Sequence, residues 1–195
     1  MDNKANKPTV LDLFCGAGGM SLGFENAGCE ILGGIDKNPH AIKTHHTNDK
    51  LQLYESEPKS EYQAKMRSKN NQSVGVMNHI CRAHNEKDLA IFEMLPQGGK
   101  YKDLPESVKR YRDDIFDDKY KRLKWNEPSW TLTAHMQKDC LAYIHPTQTR
   151  SISVREAARL QSFPEHFVFD APMTKMFELV GNSVPPLLVE AIALE

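Results

Sequence analysis

The sequence predicts an α/β fold on a parallel sheet that stops after two strands. Two observations predict the sheet. Residues 9–14 (Thr-Val-Leu-Asp-Leu-Phe) form an apolar run that enters a glycine cluster at Gly16, Gly18 and Gly19, and a second apolar run, residues 30–36, follows a helical pattern. A third observation predicts the truncation: from Asp49 to Gln72 the chain is polar and no alternating pattern continues. Strand, crossover helix and strand in that order make a βαβ unit with parallel strands.

Taken in order, residues 9–14 read as a short buried strand. Met20, Leu22, Phe24 and Ala27 fall in a helical segment, which Gly28 ends as a C-cap. Residues 30–36 form the second strand and end on an acid, Asp36. Pro39 suits the first turn of a second helix reaching His46. Residues 78–95 predict a helix carrying Ile80, Leu89, Ile91, Phe92 and Leu95, broken by Pro96-Gln97-Gly98-Gly99. Residues 100–124 mix nine Lys/Arg with six Asp/Glu, a pattern that usually marks a solvated face. Residues 129–136 and 140–144 read as strands. Residues 153–161 predict a helix with Ser153 as N-cap and Glu156 at the capping-box position. Residues 185–194 form a last short helix.

The bulk numbers bound the function. A chain of 195 residues suffices for one ordinary domain and a small lobe. A net charge of -1 gives no overall basic field, so any nucleic-acid contact must come from a local patch. The four cysteines, Cys15, Cys29, Cys81 and Cys140, show neither a C-x-x-C pair nor zinc spacing, which implies reduced thiols and no metal site. The polar N-terminus lacks the apolar segment of a signal peptide. No apolar run reaches membrane-spanning length, and a cytoplasmic location is expected.

A strand that runs into a glycine turn and a helix sets backbone N–H groups beside a helix N-terminus, which suits an anionic or polar cofactor tail. Asp36 lies 20 residues after Gly16, where an acid at the end of the second strand accepts hydrogen bonds from ribose hydroxyls. The dinucleotide fingerprint needs a third glycine at the sixth position, which here is Ser21, so a nicotinamide oxidoreductase is disfavoured. A purely structural tight turn is the alternative.

The run Asp12-Leu13-Phe14-Cys15-Gly16-Ala17-Gly18-Gly19-Met20-Ser21 resembles the first motif of the DNA cytosine-C5 methyltransferases. Residues 155–164 (Arg-Glu-Ala-Ala-Arg-Leu-Gln-Ser-Phe-Pro) resemble the ninth motif of that family, and residues 181–186 (Gly-Asn-Ser-Val-Pro-Pro) the tenth. Residues 61–146 are more loosely similar to the segment that leaves the target-recognition lobe. The resemblance implies a partial Rossmann-like S-adenosylmethionine-dependent fold in three segments. Residues 1–50 would be the N-terminal cofactor-binding half, 51–145 a remnant of the recognition lobe with its connector, and 146–195 the return to the methyltransferase domain. It implies one composite S-adenosylmethionine pocket. Phe14 would pack on the adenine, and Gly16, Ala17, Gly18 and Gly19 would approach the methionine part. Asp36 would take the ribose hydroxyls, with Lys37 near the adenine. Asn182, Ser183 and Val184 would close the methionine carboxylate end. A plain helix-start signal before Pro185-Pro186 is the alternative for the last three.

In that family a cysteine thiolate adds to C6 of a flipped cytosine, because C5 alone is too weak a nucleophile for a sulfonium methyl, and a glutamate holds the base edge. The Pro-Cys-Gln turn and Glu-Asn-Val strand end that carry these groups are absent, and no cysteine here follows a proline. No catalytic residue is therefore assigned. Cys15 reads as filler in the turn, and Cys81, near His79 and His84, as structural. Asp139 beside Cys140 would raise its thiol pKa. A two-stranded remnant exposes an edge and a face, so marginal stability or self-association is expected.

Three functions follow. The first is a family member inactive alone and completed by another polypeptide. The second is a non-catalytic module that binds S-adenosylmethionine or double-stranded DNA, the latter through Lys119, Lys121, Arg122 and Lys124 beside Tyr120 and Trp125. For that run a solvated helix face, with Trp125 in a core, is the competing reading. The third is a deletion product that folds poorly.

Overall fold

The structure, a computed structural model, describes residues 7–13, 15–35, 51–67, 75–110 and 119–195. Strand β1 (Thr9–Leu13) pairs in parallel with β2 (Glu30–Ile35), and helix α1 (Gly19–Asn26) crosses between them. The truncated parallel sheet of an α/β fold is thus present. Helix α1 ends as its sequence predicts. Gly28 sits at φ +91° and its N–H donates to Glu25 O, while the Cys29 N–H reaches back to Phe24 O.

Strand β1 is not the buried strand expected. Asp12 is buried, whereas Leu11 and Leu13 are 54% and 58% exposed. The cause is alternation. Asp12 Oδ2 accepts the Ser21 N–H (3.1 Å) and hydroxyl (2.6 Å), so the Asp12 side faces α1 and the flanking leucines face away.

The polar stretch after Asp49 is more structured than its composition implies. Residues Gln52–Leu53 (β3) pair antiparallel with Gly75–Val76 (β4), and Glu61–Arg67 form α2. A local signal existed: the Ser60 hydroxyl accepts the Gln63 N–H. Helix α3 spans only Glu86–Met94, shorter than the predicted 78–95. Asn85 starts it by accepting the Asp88 N–H, and Asn78 at φ +61° lies outside helical geometry. No strand forms at 129–136 or 140–144. A 3-10 turn, Ala134–Gln137, occupies the first, and Cys140 at φ +57° bends the second, leaving isolated bridges from Ile144 to Arg122 and Ser151. The predicted second helix at 39–46 lies outside the described residues.

Helix α4 (Val154–Leu160) carries the predicted capping box. Ser153 accepts the Glu156 N–H, and Glu156 accepts the Ser153 N–H at 2.7 Å. Helices α5 (Met173–Asn182) and α6 (Pro186–Ala193) complete the chain. Contrary to the sequence reading, Met173–Ala193 is long and apolar enough to span a membrane by composition, with 21 residues and a mean hydropathy of 1.2. The turn before Pro186 breaks it into two helices, and Phe177 and Val180 of α5 lie in the core.

Among the described residues, neither core cluster draws a side chain from β1 or β2. The larger cluster gathers Val154 and Ala158 of α4, Phe177 of α5 and the aromatic group Phe163, Phe167 and Phe169, and it reaches the glycine turn through Ala17 and α1 through Leu22. A second cluster joins Phe92 of α3 to Tyr101, Tyr120 and Ile144. Two buried arginines tie these clusters to the backbone. Arg155 donates to Met77 O (2.9 Å), Pro164 O (3.2 Å), Phe167 O (2.6 Å) and Asn78 Oδ1 (3.4 Å). Burial pushes its guanidinium down to about 10, so it remains a cation at neutral pH. Arg122 donates to Phe92 O and Leu95 O at the C-terminal end of α3, and to His145 O and Gln148 O. The charged run at 100–124 is therefore not simply a solvated face. Arg122 and Tyr120 are buried, and Trp125, expected as a possible core residue, is 61% exposed.

Replacing Arg155 by methionine should cost about 3 kcal/mol, since buried carbonyls lose their donor; denaturant unfolding checks it. A drop below about 0.5 kcal/mol would show that the shape of the side chain alone matters.

The pH profile has two parts. Burial pushes His79, His84 and His145 below the usual histidine range. The unfolded chain then takes up protons that the folded chain refuses, so stability falls as pH drops below about 6.5. Burial would raise Glu156, but Arg150 and the Ser153 N–H outweigh it and hold its carboxyl at about 2. Its contribution, present above the unfolded carboxylate range, disappears as pH falls from about 4.3 towards 2. Melting temperatures should decline from pH 7.5 to 5.5, and a His84→Gln variant should flatten that decline.

Candidate cofactor site

The site is built where β1 runs into α1. Gly16 and Gly18 adopt φ of +52° and +85°, a backbone open to glycine and costly for most other residues. The turn is closed by the Gly18 N–H donating to Cys15 O at 2.8 Å. Asp12 secures it from below by accepting the Ser21 N–H, one of the first-turn amides of α1 that has no acceptor within the helix. Asp12 was not among the site residues read from the sequence. Its signal was present as an acid within an apolar strand. Cys15 behaves as the expected filler, since a Cβ on Gly34 would meet its Cβ and Sγ at 3.0 Å.

The turn meets the far end of the chain. A Cβ on Gly19 would lie 2.5 Å from Val184 O and 3.0 Å from Phe163 Cζ. Gly23, one turn on, is pressed as closely: its Cβ would lie 2.5 Å from Val189 Cβ and 2.7 Å from Pro186 O. Two glycines on one face of α1 thus admit both the 182–184 turn and α6. Of the sequence-derived residues, the structure brings together Gly18, Gly19 and Val184, with Ala17 buried beneath. Asn182 is exposed, and Ser183 and Val184 are half-buried. Ser183 does not cap α6. Its hydroxyl donates back to Leu179 O at 2.6 Å, and Pro185 holds the cap position without a side-chain bond. Phe14, Asp36 and Lys37 lie outside the described residues.

The residues present suit a polar cofactor with an apolar body. Among the described residues, a Cβ on Gly16 would meet nothing within 4 Å. Phe163 and Phe167 wall the neighbouring glycines. Sequence reasoning missed Gln161, Ser162 and Phe163 as contributors. They lay in a recognised block, but their partners are distant in the chain.

Two of the described thiols, Cys81 and Cys140, are raised by burial. Burial pushes Cys140 up to about 11, and its Sγ donates to Met136 O. Among the described residues no cluster of His, Cys, Asp or Glu could hold a metal ion.

Gly19→Ala should separate the two turns, because the obstructing atom is a backbone carbonyl, and should cost about 2 kcal/mol. Denaturant unfolding beside Gly33→Ala, whose Cβ would find only Leu11 Cδ1 at 3.8 Å, provides the comparison. Equal effects in the two variants would deny the close approach.

Comparison with known proteins agrees with this geometry. A sequence model of the C-5 cytosine-specific DNA methylases matches residues 8–71 and 54–195. The type II methyltransferase M.AgeI of Thalassovita gelatinovora is 44% identical over 115 residues, 58% of this chain and 26% of that protein. M.Bpa9945I of Bacillus paralicheniformis is 39% identical over 143 residues, 69% of this chain and 32% of that one. A crystal structure described as a DNA modification methyltransferase encoded within a prophage (E. coli) superposes with a TM-score of 0.53 at 22% identity, covering 76% of this chain and 40% of that one. This last likeness concerns the fold. The chain spans well under half the length of these relatives. With a glycine turn after β1, a capped α4 and a closing turn before α6 in the family's order, the chain belongs to the C-5 cytosine-specific DNA methylase family.

Proposed function

We propose that this chain holds S-adenosylmethionine, the methyl donor its family implies, between the glycine turn and the 182–184 turn, and that it does not methylate DNA alone. The observation that carries the reading is the approach of Gly19 to Val184 O. In this reading Gly16, Ala17, Gly18 and Gly19 border the methionine part of the cofactor. Phe14, Asp36 and Lys37 hold its adenosine, and Asn182, Ser183 and Val184 close the pocket. Bound there, the cofactor supplies an electrophilic methyl group. The chain lacks a thiolate to activate cytosine, since no cysteine follows a proline and Cys140 is held protonated.

The missing nucleophile points to a second polypeptide carrying the Pro-Cys-Gln and Glu-Asn-Val segments. Leu11, Leu13 and Leu32 leave apolar surface on the sheet, and parallel sheets are ordinarily covered on both faces. In this reading residues 1–50 form the N-terminal cofactor-binding half, 51–145 the recognition remnant with its connector, and 146–195 the return to the methyltransferase domain.

A second reading, binding of double-stranded DNA, rests on a cavity of about 750 Å³ whose wall includes Lys119, Lys121 and Lys138 beside the acid Asp139 and the apolar Met136 and Leu141. Arg122 and Tyr120 of the original basic run are buried and do not contribute. Affinity that falls steeply with salt would favour it.

Calorimetric titration with S-adenosylmethionine, with Asp36→Ala as control, tests the main reading. We expect binding by the chain and at least a tenfold weaker Kd in the variant, about 1.4 kcal/mol. No binding by a cooperatively folded chain would refute it. Methylation of duplex DNA by the purified chain, abolished by Cys81→Ala or Cys140→Ala, would overturn the predicted inactivity.

A further inference from the structure

Three consecutive residues after α4 each touch a different border of the candidate pocket. Gln161 Nε2 donates to Val180 O (3.2 Å) and Ser183 O (3.4 Å), the carbonyls at the end of α5. Ser162 Oγ accepts the Leu187 N–H (3.1 Å) at the start of α6. Phe163 faces Gly19. Helix α6 opens on Pro185 and Pro186, neither of which has an N–H, so Leu187 carries its first amide donor. No residue of the turn itself caps that helix, and the acceptor comes instead from Ser162. Holding it there puts Ser162 at φ +59°, a conformation uncommon for a residue with a side chain.

The two helix ends that flank residues 182–184 are therefore clipped by two adjacent side chains from a third segment. From this we infer that Gln161 and Ser162 are positioning residues: they fix the 182–184 turn against the glycine turn and so set the width of the cofactor pocket. The inference rests on the cofactor reading for its ligand. The placement of the turn can be measured without one.

The experiment compares amide hydrogen exchange at Ser183, Val184 and Leu187 with S-adenosylmethionine affinity, in the parent chain and in four variants. Ser162→Gly relieves the positive φ and removes only the acceptor. Ser162→Asn also tolerates that φ but restores an acceptor. Gln161→Met keeps the length without the donor, and Gln161→Glu sets a carboxylate against two carbonyls.

We expect exchange at Leu187 to rise about fivefold or more in Ser162→Gly and to return towards the parent rate in Ser162→Asn. Both Gln161 variants should raise exchange at Ser183 and Val184. Ser162→Gly and both Gln161 variants should weaken S-adenosylmethionine by a similar factor. Unchanged exchange in all four variants would overturn the inference, and so would faster exchange with undiminished affinity. A parent chain that binds no S-adenosylmethionine would sink the cofactor reading instead, and the exchange rates alone would then decide whether these residues hold the turn.

Discussion

The structure depends on one buried cation. Arg155 has no exposed surface, and its guanidinium is met by three backbone carbonyls and the Asn78 amide oxygen. A bare charge in that position would be prohibitive, and each donor must therefore keep its acceptor. That requirement fixes three remote segments at once: residues 77–78, the first turn of α4, and the loop at 164–169. Asn78 completes the joint, donating to Phe169 O and accepting the Phe169 N–H, and its left-handed φ turns the side chain into the site. The aromatic group at 163, 167 and 169 stands on this joint. The glycine turn rests in turn against Phe163 and Phe167. The position of the candidate pocket is thus inherited from an arginine that does not line it.

This hierarchy explains how a two-stranded parallel sheet persists in so short a chain. Ordinarily such a sheet is the centre of the core, covered on both faces. Here the larger cluster lies among α4, α5 and the loops between them, and the sheet attaches to it through α1. Gly23 against Val189 brings α1 close to α6, and Asp12 ties β1 to α1. One face of the sheet can then remain open, with Leu11 and Leu13 in solvent, without removing the support of the turn. That apolar surface is an aggregation hazard for the isolated chain and a suitable seat for a covering layer.

What the sequence made legible was local. The Ser153–Glu156 box, the Gly28 cap and the β1–α1–β2 order all rest on residues within a few positions of one another, and each appears as read. The family blocks made the Gly19–Val184 meeting foreseeable, but only through resemblance. What escaped were long-range satisfactions. Nothing near Arg122 marks it as the residue that caps α3, and in sequence it looks like one more charge in a charged run. Asn78 lies in a stretch with helical apolar spacing, and tertiary hydrogen bonds to Phe169 override that propensity. Of the candidate site, the glycines and the closing turn could be read. The residues that hold them, Asp12, Gln161 and Ser162, could not be assigned, because their roles exist only once the chain ends have met.

The same separation bears on what the family's catalytic cycle requires of this chain. Holding a sulfonium cofactor and activating a cytosine are distinct physical tasks. The first needs open space above a glycine turn and a fixed opposing wall. The second needs a thiolate and a polar group at the base edge. Here the first set is supported by a continuous line of contacts, from Arg155 through the aromatic group to Gly19, and from Gln161 and Ser162 to Val184. For the second, burial raises the Cys81 and Cys140 thiols, and the buried Arg122, Arg155 and Asn78 are committed to structural bonds. Converting Cys140 into a nucleophile would require breaking the packing that holds the 3-10 turn beside α5. Supplying a thiolate from a second polypeptide would require no such rearrangement, because the exposed sheet face lies on the side of β1 opposite α1. The open face and the absent Pro-Cys-Gln turn both accord with the proposal that a second polypeptide completes the site.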